Sequence, residues 1–309
     1  PVVSLAPGAT GYAGSEYRST IAGQWTANGS PISGQTGTTL AMTPALEGAA
    51  IRCGDSNVIE MWVPSDTTRL AQYDVRQPSG VTVTGGLVSS INDLAGSHHM
   101  LQATGSRQPS YDASNKIAGY NAPAFDGTAD FVGLGSSLEI PAAGDISIFL
   151  VADVTNVTGT MYDALISYGS DDSAGTWQMQ RNGVGTTFPW YMYVSAGSYP
   201  GLIVADGNTH GLHIWELVFD FTARTWRCYF DGALKYSNTH WAKLPNKILK
   251  FFTNRNSDAC IAGKFGAALV LSSVDATTRQ KAEGCLAHQW GLTANLPSDH
   301  PYKTSAPTV

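Results

Sequence analysis

Carboxylates and aromatic rings are the side chains of this sequence whose types could cut or hold a sugar. Retaining glycoside hydrolysis needs two carboxyl groups about 5 Å apart, which on one strand face means acids two or four residues apart. No strand-like segment carries such a pair. Asp153, Glu216 and Asp220 stand singly within or at the ends of apolar runs, Asp171-Asp172 lie in a Gly/Ser turn, and a Glu-x-Asp-x-x-Glu string is absent. Nucleophilic chemistry has no better footing: there is no G-x-S-x-G elbow, and the adjacent pair His98-His99 sits in a polar loop with the two rings diverging. The expectation is a protein without catalytic residues.

The aromatics are denser. Trp177, Trp190, Tyr191, Tyr193, Trp215, Trp226 and Trp241 crowd one stretch, and sugars stack their C–H faces on such rings. In Trp190-Tyr191-Met192-Tyr193-Val194 the strand period puts Trp190, Met192 and Val194 on one face and Tyr191 and Tyr193 on the other. The first set reads as core. Tyr191 and Tyr193, with Trp177, Gln178 and Arg181 and with Gln180 as a further polar neighbour, form the candidate glycan-binding set. Core packing is the competing reading for each ring.

The elements that would position these residues are mostly strands. Of 309 residues only 14% are charged, 33 are glycine, and helical periodicity of useful length is confined to the C-terminus. Ile146 to Val154 is a near-continuous apolar run suited to the centre of a sheet. Trp177 to Arg181, Trp190 to Val194, His213 to Phe219, Trp226 to Phe230 and Phe265 to Leu271 read as further strands, and Asp231-Gly232 is a hairpin turn. Near the end, Ala282, Cys285, Leu286 and Trp290 share one helical face, with Asp275 as N-cap and Gly291 as the C′ residue.

Charge and cysteines narrow the classes. A net charge of −6 without any Lys/Arg run argues against nucleic acid and anionic membranes as partners. No apolar stretch reaches the length of a membrane span. The opening PVVSLAPG lacks a basic and apolar leader, so synthesis without export is expected. Cys53, Cys228, Cys260 and Cys285 have no zinc-type spacing. Cys228 and Cys285 read as small core residues, and whether Cys228 and Cys260 are bridged stays open.

Three segments resemble known families. The close, RQKAEGCLAHQWGLTANLPSDHPY from Arg279 to Tyr302, is similar to the terminal motif of concanavalin A-like, laminin-G-like jelly rolls of bacteriophage structural proteins and bacterial surface proteins. Tyr73-Asp74, Val88 to Ala95, Gln108-Pro109, Phe125-Asp126-Gly127 and Asp130-Phe131 resemble the opening of the same domains. The first sixty-odd residues, with Trp25 before the turn Asn28-Gly29, a strand Thr39 to Met42 and AAIRC ending at Cys53, resemble small bacterial and phage immunoglobulin-like domains. No upstream cysteine exists to pair with Cys53, which departs from the antibody pattern and leaves it a buried thiol.

These resemblances imply an all-β protein: an Ig-like β-sandwich over residues 1–64, a linker at Val63-Pro64-Ser65-Asp66, and a concanavalin A-like jelly roll with a C-terminal helix over 65–309. The buried stripe of that helix would seal the jelly roll, with Glu283 and His288 flanking it unpartnered. Laminin-G-like domains often hold calcium at a rim, which makes Asp126, Asp130, Asp171 and Asp172 candidate ligands for a structural ion, with Asp258 beside them; turn-forming Asp is the alternative. The family likeness implies a non-enzymatic virion surface protein, a capsid decoration, head fibre or tail-associated component made in the host cytoplasm and released by lysis. Its partners would be major capsid or tail proteins, host surface glycans and further copies of itself. The alternatives are a secreted bacterial carbohydrate-binding module or adhesin, and a polysaccharide-degrading enzyme.

Overall fold

Short alternating runs broken by glycine turns become strands throughout. The structure, a computed structural model, describes residues 2–5, 11–54, 63, 68–77, 79–135, 145–154, 163–169, 176–181, 190–194, 198–204, 210–239, 248–254, 256–273 and 275–308. The chain divides into two compact units, residues 1–65 with 276–309, and residues 66–275. Among the described residues no helix is long and apolar enough to cross a membrane.

The first unit opens with β1 (Val3–Leu5), β2 (Glu16–Ser19), β3 (Trp25–Ala27), β4 (Ser30–Pro31), β5 (Thr39–Ala41) and β6 (Ile51–Cys53). They form two three-stranded sheets, β1-β2-β5 and β4-β3-β6. Val3, Tyr17 and Leu40 from one sheet and Trp25, Ile51 and Cys53 from the other bury themselves in a single core. Trp25 and Cys53 are register partners, so the tryptophan and the thiol expected near each other are direct neighbours. Asn28 and Gly29 take positive φ at the β3–β4 turn, and the Asn28 carboxamide oxygen accepts from the Ala50 amide at 2.9 Å.

The second unit holds β7 (Arg69–Asp74), β8 (Val81–Thr84), β9 (Leu87–Ile91), β10 (Met100–Leu101), β11 (Lys116–Ile117), β12 (Tyr120–Asn121), β13 (Ala124–Asp126), β14 (Val132–Leu134), β15 (Ile146–Val154), β16 (Ala164–Tyr168), β17 (Trp177–Arg181), β18 (Trp190–Val194), β19 (Ser198–Val204), β20 (Gly211–Asp220), β21 (Thr225–Phe230), β22 (Ala233–Asn238), β23 (Leu249–Phe251) and β24 (Ala262–Leu271). One sheet runs β19-β18-β17-β16-β23-β14-β10-β9-β8 and the other β13-β24-β15-β20-β21-β22, with β7 also paired to β24. The apolar run of β15 lies between β20 and β24, as a two-sided buried strand should. Trp177 meets Phe219, Trp190 meets Trp215 and Phe251 meets Phe265 at centroid distances of 4.9, 4.8 and 5.7 Å. Those contacts join the inner faces of the two sheets into a sandwich.

The C-terminal segment belongs to the first unit, not to the jelly roll whose end it was expected to form. Helix α1 (Ala276–Trp290) ends at Gly291, φ 71, and the Leu292 amide bonds back to the Ala287 carbonyl at 2.7 Å in a Schellman closure. The predicted residues Ala282, Cys285, Leu286 and Trp290 are buried, and so are Glu283, Gly284, Ala287 and His288, so the burial is wider than one stripe. Cys285 packs with the buried Tyr12, and Gln289 donates to Glu47 at 2.6 Å. Periodicity shows that a helix face is buried and is silent on which surface covers it.

Glu283 and His288 also depart from expectation, since neither is unpartnered. Arg279 and His300 both bond the buried Glu283 carboxylate, and the His288 ring meets the Tyr302 carbonyl at 2.9 Å. All four cysteines are buried thiols outside any disulfide, so Cys228 and Cys260 are not bridged. Pro64, Ser65 and Asp66 of the expected linker lie outside the described residues.

Candidate functional site

The strand period sorts the nine-stranded sheet into two faces. Trp177, Met179, Trp190, Met192 and Phe251 turn inward to the second sheet and are buried. The opposite face carries a polar row. Gln178 on β17 lies directly between Tyr193 on β18 and Ser167 on β16, and Ser167 in turn lies opposite Lys250 on β23. One step along, Gln180 lies opposite Tyr191.

Ser167, Gln178 and Gln180 are 0%, 2% and 1% exposed, a burial normally reserved for apolar side chains. Gln178 Nε2 donates to Gln180 Oε1, which orients the second carboxamide with its own Nε2 pointing on. That Nε2 and the Ser167 hydroxyl are buried without a hydrogen-bond partner. A buried polar group left this way costs about 1–3 kcal/mol, and at this burial neither atom is open to a partner from outside the chain. Tyr191 and Tyr193, both half-buried, border the row. Lys250 donates to Ser257 Oγ at 2.9 Å, and burial holds its ammonium below the ordinary lysine range. Tyr191 and Tyr193 are the members of this face that solvent partly reaches, and their phenol groups and ring faces suit sugar hydroxyls and C–H faces.

Of the five residues proposed from sequence, Tyr191, Tyr193 and Gln178 share this face. Trp177 and Arg181 do not. Trp177 stacks on Tyr168 at 5.6 Å within the core, and Arg181 forms a buried ion pair with Asp163 at 3.0 Å. Their odd positions on a strand whose even positions face the tyrosines already contained this answer. Ser167 and Lys250 were missed, although each is a polar residue at an alternate position of an otherwise apolar strand, Ala164–Tyr168 and Leu249–Phe251.

Of the calcium candidates, Asp126 and Asp130 hold a turn. Asp126 Oδ1 accepts from the amides of Thr128, Ala129 and Asp130, and Asp130 Oδ2 accepts from the Asp126 amide. Burial works to raise the Asp126 carboxyl, but those three amides outweigh it and hold the group below the ordinary aspartate range. Asp130 is pushed up to about 6 by burial and by the Asp126 charge. Asp258 accepts from Asn254 at 2.6 Å. Asp171, Asp172 and Trp241 lie outside the described residues. Among the described residues no group of three or more His, Cys, Asp or Glu side chains is placed to hold a metal.

Asp74 and Arg76 form a buried pair, and Asp153 lies 4.0 Å from Lys264. Glu216 is buried on β20, opposite Phe149 and Tyr229. Asp231 bonds the His213 ring at 2.6 Å and the Ile214 amide at 2.9 Å, which ties the β21–β22 turn to β20. His98 and His99 belong to a loop organised by Asp93, whose carboxylate accepts from Gln72, Ala95 and His98 amides and whose own amide donates to His99 Nδ1.

No family model and no curated protein match the chain. Solved structures do. A GH54 α-L-arabinofuranosidase soaked with a cyclic sulfate inhibitor superposes with a TM-score of 0.50 at 13% identity, over 73% of this chain and 64% of that one. The botulinum neurotoxin serotype D binding domain gives 0.48 at 12% identity, over 74% and 52%. Domain 4 of AbnA, a GH43 extracellular arabinanase from Geobacillus stearothermophilus, in complex with arabinotriose, gives 0.41 at 15%, over 67% and 93%. The chain therefore spans just under two thirds of the arabinofuranosidase it resembles. At these identities the likeness is one of fold, a jelly-roll β-sandwich.

Proposed function

We propose that the protein is a non-enzymatic adhesion protein whose jelly roll binds glycan at Tyr191 and Tyr193 of its nine-stranded sheet. The observation that carries this reading is that pair of partly exposed rings, which share one face of β18. Sugar hydroxyls, each both donor and acceptor, pair with the phenols, and the rings supply stacking faces. Binding is favoured over turnover because the row is built from amides and hydroxyls, and Asp163, the described acid nearest to Ser167 in sequence, is held in an ion pair with Arg181.

Display on a bacteriophage particle is the finer part of the proposal. It is supported by the likeness of the Arg279 to Tyr302 motif to phage structural proteins and by the pairing of a small Ig-like sandwich with a jelly roll. Anchoring through one unit and weak, multivalent glycan contact through the other would give useful avidity. A glycan array tests the adhesion half: retained ligands should be lost on Tyr191→Ala and Tyr193→Ala. An array that stays blank, or ligands unaffected by both substitutions, would remove the sugar-binding reading. Release of reducing ends from a bound polysaccharide would make it an enzyme instead. Locating the chain on imaged native particles tests the virion half.

A further inference from the structure

Tyr191 and Tyr193 are two residues apart on one strand, so their Cα atoms stand roughly 6.7 Å apart along β18. Both side chains leave the same face of the sheet, and both are partly exposed. The pair is a platform two rings long, with its long axis along the strand.

Its surroundings carry no charge. From Asn182 to Ala205 the sequence has no Asp, Glu, Lys, Arg or His, in a chain of which 14% is charged. That stretch contains β18 and the sheet-edge strand β19. On the other side, the register partners of Tyr191 and Tyr193 on β17 are Gln180 and Gln178, whose carboxamides bond each other. Arg181, the charged residue of β17, is buried on Asp163. The β18–β19 register shifts between Trp190 and Tyr191 and again between Met192 and Val194, and bulges at a sheet rim re-aim side chains.

A charge-free aromatic surface suits neutral sugar rings or an apolar protein partner. The large apolar side chains most exposed among the described residues, Val2, Ile21, Val83, Leu101 and Leu234, all lie on other segments, so the aliphatic anchors of a protein interface are not gathered here. We infer that the pair takes an uncharged disaccharide unit of a glycan, laid along β18 with one sugar ring on each tyrosine. The inference rests on the glycan-binding reading above. An acidic sugar would meet no cation on this stretch and a net charge of −6 on the chain as a whole.

The test is calorimetric titration of the full chain with neutral hexose and pentose oligomers from monosaccharide to hexasaccharide, and with a uronic-acid disaccharide, at low and high salt. Affinity should rise roughly tenfold from monosaccharide to disaccharide, level off beyond it, ignore salt, and fall several-fold for the acidic disaccharide. Tyr191→Ala and Tyr193→Ala should each bring the disaccharide down to the affinity of the monosaccharide, while Tyr191→Phe and Tyr193→Phe keep the step. Affinity that climbs on to the hexasaccharide, equal affinity for one ring and two, or a salt-sensitive preference for the acidic disaccharide would overturn the neutral two-ring site while leaving glycan binding in place. Silence of every oligomer would remove both, and so would a concentration-dependent dimer that Tyr191→Ala dissociates, which would assign the pair to a second copy of the chain.

Discussion

The His300 Nε2 lies 3.0 Å from a Glu283 carboxylate that is wholly buried in α1. The other ring nitrogen accepts from the Tyr302 amide, which fixes the neutral tautomer with its proton on Nε2, and Arg279 supplies the countercharge from one helical turn away. The closing segment thus contains a buried polar network that ties α1 to the residues following it.

Breaking this network should be costly. Removing one partner of a buried ion pair typically destabilises by about 3–5 kcal/mol, because the remaining charge is left uncompensated. Glu283→Ala should lower urea-unfolding stability by an amount in that range, and Glu283→Gln by less. A Glu283→Ala variant as stable as the parent would show that the network contributes nothing.

Gly284 invites a substitution that should fail. Alanine favours a helix over glycine by about 1 kcal/mol, yet a Cβ at this position would sit 2.4 Å from the Tyr302 Cβ. Overpacking of this kind costs about 1–3 kcal/mol. Gly284→Ala should therefore lower the melting temperature, whereas a rise would mean that Tyr302 moves aside freely.

Ser167 separates function from stability. Its buried hydroxyl has no partner within the protein, so Ser167→Ala should leave unfolding stability unchanged or raise it by about 1 kcal/mol. Because the hydroxyl is wholly buried, the same variant should bind glycan as the parent does. A variant that loses stability would show that the hydroxyl is bonded within the protein.

Asp130 predicts a pH dependence. Its folded-state carboxyl is raised to about 6 from an ordinary 3.8, so its favourable contribution is complete below the ordinary value and is lost as pH rises through 6. Asp130→Asn keeps an acceptor for the Asp126 amide and carries no charge. Relative to the parent it should gain about 1–2 kcal/mol in denaturation midpoints between pH 4 and pH 7.5. A constant difference across that range would sink the assignment.

The sequence by itself determined what depends on neighbours along the chain. Period two placed Trp190 and Met192 inward and Tyr191 and Tyr193 outward, Asp231-Gly232 turned a hairpin with both residues at positive φ, and Gly291 stopped α1. Those outcomes follow from steric rules acting over a few residues, and they were legible without coordinates. Tertiary structure alone decided which strands lie side by side. Lys250 lies opposite Ser167 only because β23 inserts beside β16 from a distant part of the sequence, and α1 joins the N-terminal unit although its buried face would suit any apolar surface. Pairing and docking of this kind are set by the burial of whole faces at once. Residue spacing cannot record that choice, which is why the scaffold was read early and the polar row only from the assembled sheet.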